Sequence, residues 1–148
     1  MNNIMSATSQ APAALRSRIQ EFEDILLTHD QVHIPVEQFF SHGVYLRKIT
    51  IPAGTLLTGK IHKHPCLSIV LSGEMEVITD QGPKHVVGPV IYESPAGVKR
   101  AGKAITECVW LTVHPYDGPE RSAQDMAELL TVNTFAELLE HRHQEKLS

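Results

Sequence analysis

The stretch GKIHKHPCLSIVLSGEMEV, residues 59–77, decides the fold, because it joins a histidine pair to a strand–turn–strand pattern. An apolar, β-branched run is followed by the turn SGE (72–74) and a second, alternating run, which predicts two strands joined at a bend. His62 and His64 stand two residues apart, and in an extended strand such residues project to one face. The stretch therefore predicts a β-hairpin entered beside two imidazoles, which are common metal ligands.

Short β-rich runs with Gly and Pro between them continue on both sides of this stretch. The runs are YLRKITI, KIHKH, LSIVLSGEMEVIT, KHVVG, PVIYE and TECVWLTVH. Regularly spaced strands without intervening helices predict a sandwich or barrel. The chain has 148 residues, 42% of them hydrophobic, which suits one domain with one core.

Helical patterns flank the β-rich region. Apolar residues at helical spacing predict a helix over residues 13–28, whose stripe packs against the main body or a partner subunit. The sequences SAQD (122–125) and TFAE (134–137) have the form of capping boxes and predict two short C-terminal helices. The predicted segments are an N-terminal tail and amphipathic helix (1–43), a barrel (44–115) and a C-terminal helical segment (116–148).

Composition argues against several classes of protein. The formal net charge is -4, and no Lys/Arg block interleaves with aromatic residues, so nucleic-acid binding is not expected. No apolar run approaches the roughly 20 residues that span a bilayer, and no signal-peptide pattern stands out, so we expect no membrane partner and a cytoplasmic location. Cys66 and Cys108 are predicted to be buried thiols, with Cys66 as a thiolate ligand left open. The segment EHRHQEK (140–146) is predicted to be a solvated, charged tail.

The β-rich region resembles the cupins, a superfamily of small double-sheet β-barrels of the jelly-roll type. The matching residues are His62, His64, Gly73 and Glu74 for the first cupin motif, and Gly88, Pro95, Ala96 and Gly97 for the second. The resemblance implies a mainly β fold, a single double-stranded β-helix over about residues 44–114. It also implies a metal held by the H-x-H pair and a homodimer.

Two ligand positions of the cupin pattern hold other residues. The glutamate position holds Cys66, or Ser68 in the alternative register, and the second-motif histidine position holds Arg100. A guanidinium repels a cation and offers no lone pair. A third ligand would come from elsewhere, and the residues considered are Glu107, His114, Glu93 and Cys66.

Strand parity on the last β-rich run separates two sets of residues. One set contains Glu107, Val109, Leu111 and Val113, and the other contains Cys108, Trp110, Thr112 and His114. The first set is more apolar, and the second resembles a polar pocket wall. The sequence leaves open which set faces the barrel interior.

A second resemblance is to cupin-like proteins of unknown activity from bacteriophages and bacteria. The similar segments are IPAGTLLTGKIHKHP, PAGVKRAGKA and ECVWLTVHP. This resemblance implies that the characteristic polar residues are Lys60, His62, Lys99 or Arg100, Glu107 and His114. It implies no activity.

Two functions are consistent with these residues. In the first, His62 and His64, with His114 or Glu107 as third ligand, hold a divalent metal such as Fe, Mn, Ni or Zn, without an organic cofactor. Arg100 and Lys60 then orient a small anionic molecule, and Glu107 is a candidate general base. In the second, the protein is metal-free and binds or sequesters a small anionic ligand, or has a structural role.

Overall fold

The computed structural model describes the backbone of residues 2–148 and the side chains from Pro12 onward. Its helices are α1 (Asn2–Leu26), α2 (Ala123–Leu130) and α3 (Phe135–Leu147). Its strands are β1 (Val36–Ser41), β2 (Val44–Ile51), β3 (Leu56–Thr58), β4 (Ile61–His62), β5 (Cys66–Ser72), β6 (Glu74–Thr79), β7 (Gly82–Val87), β8 (Val90–Ser94), β9 (Arg100–Ala104), β10 (Cys108–Pro115) and β11 (Thr131–Val132). None of the described helices is long and apolar enough to cross a membrane.

The strands form two main antiparallel sheets. One has the order β1-β2-β10-β5-β8 and the other β3-β9-β6-β7, while β4 pairs with β11 in a separate two-stranded ladder. The predicted fold class, a mainly β jelly-roll barrel with an N-terminal helix and short C-terminal helices, is confirmed. Strand β1 was not predicted, so the sheet begins at Val36 rather than at residue 44. Burial alternates regularly along β1, an edge strand that pairs with β2, but Gln38 faces inward and Phe39 outward, so the sequence does not show the alternation.

The boundaries of α1 differ from the prediction of residues 13–28. The helix includes Pro12 in its interior, where a proline removes one backbone donor without ending the helix here. At its other end the N–H groups of Thr28 and His29 bond to the carbonyls of Ile25 and Leu26, three residues back. This tighter turn ends the helix at Leu26.

Helix α1 packs against the barrel, which is one of the two alternatives for its apolar stripe. Ile19 is buried, and Arg16 pairs with the buried Asp80 at 2.7 Å. Glu23 accepts hydrogen bonds from Thr58 and from the buried Lys99, whose Nζ lies 2.6 Å from its carboxylate. The expected homodimer stays a prediction.

Both predicted capping boxes begin helices. The Ser122 hydroxyl accepts a hydrogen bond from the Asp125 N–H at 3.1 Å, and α2 follows. Thr134 accepts from the Glu137 N–H at 3.2 Å, and α3 follows. Each bond satisfies a backbone donor that the first helical turn leaves free.

Gly73 joins β5 to β6 with a φ of 97°, in the region that favours glycine. A Cβ there would overlap the carbonyl oxygen of Glu107 and lie 2.6 Å from the Cys108 sulfur. We expect Gly73→Ala to lower the free energy of unfolding by about 3 kcal/mol, because backbone strain and overpacking add. Urea denaturation measures this loss.

Gly54 provides the matched control, since it also has a positive φ, 79°, but nothing lies within 4 Å of a Cβ built on it. Gly54→Ala should therefore cost only the conformational strain, about 1 kcal/mol. Equal losses in the two variants would contradict the clash at Gly73.

Candidate functional site

The inner face of β10 forms one wall of a cavity between the sheets. Trp110, Thr112 and His114 line this cavity, whereas Val109, Leu111 and Val113 do not. The sequence left open which of the two sets on β10 faces the barrel interior, and the structure shows that it is the set with Trp110, Thr112 and His114.

Strand register brings further polar residues beside this wall. On β2, Tyr45 lies opposite His114 and Arg47 lies opposite Thr112. On β5, Ser68 lies opposite Thr112. Because neighbouring strands keep inward residues in phase, Arg47 and Ser68 line the cavity too.

The cavity has a volume of about 1010 Å³. Along β10 its lining changes from the indole of Trp110, which packs against the core cluster that contains Met75 and Val77, to the imidazole of His114. Leu26 of α1 and Met126 of α2 also line it, so both helices help to enclose it. This volume and mixed lining suit a small organic molecule with a polar end.

His62, Cys66 and His114 form a cluster at the cavity, which the two histidines line while Cys66 is buried beside them. One ligand atom from each lies within 4.8 Å of the other two. The His62 Nδ1 atom is 2.9 Å from the Cys66 sulfur, and His114 Nε2 is 3.0 Å from the Thr112 hydroxyl. The cluster brings together residues from β4, β5 and β10.

Burial and nearby cations keep the two imidazoles neutral. Burial, the His114 imidazole and the Arg100 and Arg47 guanidinium groups lower the pKa of His62 to about 4. Burial and Arg47 lower the pKa of His114 to about 4. Both rings therefore keep a free nitrogen lone pair at neutral pH, as metal ligation requires.

Cys66 is a protonated thiol in this setting. Burial raises the pKa of Cys66 to about 11, although the Arg100 charge opposes the shift. The thiol can then donate a hydrogen bond to His62 Nδ1. Both cysteines are buried and unpaired, as predicted.

The cluster fits a divalent metal ion by its donor set. Two neutral imidazoles and one sulfur match ligands that zinc and other borderline transition metals accept, and three protein ligands leave a position open. A thiol becomes a better ligand as a thiolate, and a bound metal would favour that form by releasing the thiol proton to solvent. Manganese, which was on the predicted list, prefers oxygen ligands and suits this set less well.

His64 does not join this cluster, and the expectation that the H-x-H pair shares one face is wrong. Strand β4 ends at His62, and residues 63 and 64 form a bend. The β4–β11 ladder ends there, and the Lys63 N–H bonds instead to the Leu130 carbonyl at 2.9 Å. His64 is exposed as a result.

Glu107 and Glu93 also lie outside the cavity. Glu107 is exposed before the start of β10, seven residues from His114, which corresponds to about 23 Å along an extended strand. It is too distant to act as ligand or general base there. Glu93 is exposed and pairs with the outward-facing Leu67.

Lys60 and Arg100 are the other predicted site residues, and both line the cavity. Lys60 is exposed, whereas Arg100 is half-buried on β9. Lys99, the alternative to Arg100, is buried against Glu23 instead. Both residues thus border the cavity, and their role in orienting an anion stays a prediction.

Arg47 is a cavity residue that sequence reasoning missed. Burial lowers its pKa, and the Tyr45 hydroxyl group partly opposes this shift. Arg47 alternates in phase with Tyr45, Ile49 and Ile51, which all line the cavity. An arginine in register with three large apolar residues was the available signal.

Neither cavity arginine has an acidic partner among the side chains from Pro12 onward. No carboxylate there lies within salt-bridge distance of Arg47 or Arg100. Two acidic residues border the cavity, but Glu23 is engaged by Lys99, and Asp30 is exposed. The cavity wall thus carries two guanidinium groups without a carboxylate of the protein to balance them.

No protein-family model matches this chain. No curated protein matches it either. Among solved structures, it is similar to a cupin superfamily protein from Desulfitobacterium hafniense, with 15% identity, a TM-score of 0.49, and coverage of 60% of this chain and 83% of that one. It is also similar to an RmlC-like cupin family protein with a double-stranded β-helix fold from Methanocaldococcus jannaschii, with 23% identity, a TM-score of 0.47, and coverage of 59% and 84%. A cupin-2 domain containing protein from Shewanella frigidimarina matches with 16% identity, a TM-score of 0.47, and coverage of 64% and 92%.

These structures come from the superfamily that the sequence motifs resemble. At such identities the likeness is one of fold. The two facing antiparallel sheets of this chain have the cupin type of architecture.

Proposed function

We propose that this protein binds a small anionic molecule, a carboxylate or a phosphate, beside a divalent metal ion in the cavity between its sheets. His62, Cys66 and His114 hold the metal, and Arg47 and Arg100 hold the anion. This is the arrangement of an enzyme that acts on small anionic substrates. The metal set differs from the predicted one, since Cys66 takes the place of His64.

The observation that carries the proposal is the pair of unbalanced guanidinium groups. Two half-buried cations that line one cavity, Arg47 from β2 and Arg100 from β9, repel one another and have lost part of their hydration. An anionic ligand relieves both costs, and a guanidinium can donate two parallel hydrogen bonds to a carboxylate or phosphate. The absence of a protein carboxylate, among the described side chains, leaves these donors to a ligand.

Each group of the chain then has a separate task. The two arginines orient the anion, and the indole of Trp110 offers an apolar face to the rest of the molecule. Helices α1 and α2 limit the access of water, which strengthens the charge interactions inside. A metal bound by His62, Cys66 and His114 would supply Lewis-acid polarisation of a ligand oxygen.

The fluorescence of Trp110 provides a direct test, because it is the only tryptophan and it lines the cavity. We expect inorganic phosphate or one of acetate, malonate and succinate to change the emission in a saturable way. Arg47→Met and Arg100→Met should each weaken this binding by about 10- to 100-fold, since each removes a charge-assisted hydrogen bond. Fluorescence titration of the parent and both variants measures the change.

Arg18→Gln is the matched control, because Arg18 is exposed on α1 and does not line the cavity. It should leave the titration unchanged, and circular dichroism should show that all variants are folded. Equal anion affinity in the parent and both Met variants would contradict the proposal.

A metal-free anion pocket is the second candidate function. The hydrogen-bonding distance of 2.9 Å between His62 and Cys66 favours it, because a protonated thiol and a neutral imidazole already satisfy one another. Elemental analysis of the untagged protein distinguishes the two. Anion binding without any metal, even after incubation with zinc, iron and nickel, would favour this alternative.

A further inference from the structure

The second histidine of the H-x-H pair turns away from the cavity and meets the C-terminal helix. His64, His141 and Glu145 each place one ligand atom within 4.8 Å of the other two. The His141 Nε2 atom lies 3.1 Å from the Glu145 carboxylate. Sequence reasoning treated His141 as part of a solvated tail, whereas its side chain is only 29% exposed.

Helix α3 presents two of these ligands on one stripe. Leu138, His141 and Glu145 follow the spacing i, i+3, i+7, which aligns side chains on one helix face. Leu138 is fully buried, so this face is the one held against the rest of the protein. Its docking fixes where the His141 imidazole and the Glu145 carboxylate lie.

The chain around His64 is held from both sides. Before it, the Lys63 N–H bonds to the Leu130 carbonyl, and after it Pro65 restricts the backbone of His64. The Lys63 ammonium group donates to the carbonyls of Glu128 and Leu129 at 3.0 and 3.1 Å. The Lys63 ammonium group is therefore held by the carbonyl groups at the end of α2.

From this geometry we propose that His64, His141 and Glu145 form a surface site for zinc, separate from the cavity, that clips α3 to the segment after β4. Two imidazoles and one carboxylate are ligands that zinc accepts, and water completes the shell. Ligand atoms bound to one tetrahedral zinc at about 2.1 Å lie about 3.4 Å apart. Reaching that spacing from at most 4.8 Å needs small side-chain rotations, and His64 and Glu145 are both exposed.

A zinc clip links segments that are distant in sequence and should therefore stabilise the folded chain. Zinc that binds only the folded form raises its stability by mass action. The site contains no residue of the cavity cluster, so the two metal sites can be removed one at a time.

The test uses the full, untagged chain with Cys66→Ser, which disables the cavity cluster. Zinc is added in equilibrium dialysis, and bound metal is counted by elemental analysis. We expect one bound zinc per chain, lost in His141→Ala and in Glu145→Gln. Retention of zinc in both variants, or no bound zinc before they are made, would overturn the proposal.

His143→Ala is the matched control, because His143 is exposed on the same helix two residues from His141 and is outside the cluster. It should keep its zinc and the zinc-dependent rise in melting temperature, both of which His141→Ala and Glu145→Gln should lose. Light scattering with zinc should show no change in mass. A zinc-dependent dimer would place the metal between chains and overturn the intramolecular clip.

The same measurements with Cys66 intact keep this proposal apart from the proposed function. If both hold, the parent binds two zinc ions, and Cys66→Ser and His141→Ala each remove one. If only the surface site exists, Cys66→Ser changes nothing and His141→Ala removes all zinc. If only the cavity site exists, the reverse pattern appears and the zinc clip is wrong.

Discussion

Lowering the pH from 7 to 5 is expected to reduce the free energy of unfolding of the metal-free protein by about 4 kcal/mol. Burial and neighbouring charges lower the pKa of both His62 and His114 to about 4 in the folded chain, from the ordinary histidine pKa of 6.5. Between these values the unfolded chain binds more protons than the folded one. Stability is therefore present above pH 6.5 and falls as the pH drops toward 4.

The size of this effect follows from the two histidines together. Each contributes about 2 kcal/mol between pH 7 and pH 5, since one pKa unit corresponds to about 1.4 kcal/mol. The pKa of His85 shifts in the opposite sense, because its hydrogen bond to Glu76 raises it, but His85 lies at the exposed surface. Its contribution does not reverse the trend set by the buried pair.

Urea denaturation with a chelator at pH 7, 6 and 5 measures the slope of stability against pH. His114→Asn should roughly halve this slope, because one of the two depressed histidines is gone. His33→Gln, at an exposed position, should leave it unchanged. A slope that is the same in the parent and in His114→Asn would show that the buried imidazoles are not its source.

The fold could be predicted because most of its strands and turns are indicated by residues that are close together in the sequence. The hairpin of β5 and β6 combines alternating β-branched residues with a turn at position 73. The backbone there has a positive φ, which favours glycine. Both capping boxes likewise depend on residues three apart in one segment. Strand β1 was missed because its inward residues Val36, Gln38 and Phe40 include a polar side chain, while Phe39 is exposed, so its sequence does not alternate between apolar and polar residues.

The site was harder to predict because it depends on where strands end and how they pair. His64 follows His62 in the sequence, but β4 stops between them, and a bend separates the two imidazoles. Cys66 was left open as a ligand, and only the register of β5 beside β10 brings it near His114. The proximity of His141 to His64 depends on how α3 docks against the rest of the chain, and no local sequence pattern predicts it.

Replacing His114 by alanine is expected to weaken metal binding in the cavity by about 100- to 1000-fold. Four-ligand zinc sites bind with about 10–16 kcal/mol, so one ligand of such a set accounts for about 3–4 kcal/mol. His114 is buried beside His62 and Cys66, and no other ligand of the described chain is grouped with that pair. The lost imidazole therefore has no substitute in the wall.

Cobalt(II) is the most selective probe, because a bond between cobalt and the Cys66 thiolate gives a charge-transfer absorption band in the near ultraviolet. The surface cluster contains no sulfur and gives no such band. Titration with cobalt should show the band in the parent and its loss in His114→Ala and Cys66→Ala. His64→Ala is the matched control and should keep the band, because His64 lies outside the cavity.

The opposite result for His64 would reverse the assignment of the histidine pair. If His64→Ala removed the thiolate band while His114→Ala kept it, the metal would require the H-x-H pair on one face, as the sequence predicted. Strand β4 would then have to extend past His62, which the bond from the Lys63 N–H to the Leu130 carbonyl opposes. The cobalt titration therefore tests whether β4 ends at His62, because the end of this strand separates His62 from His64.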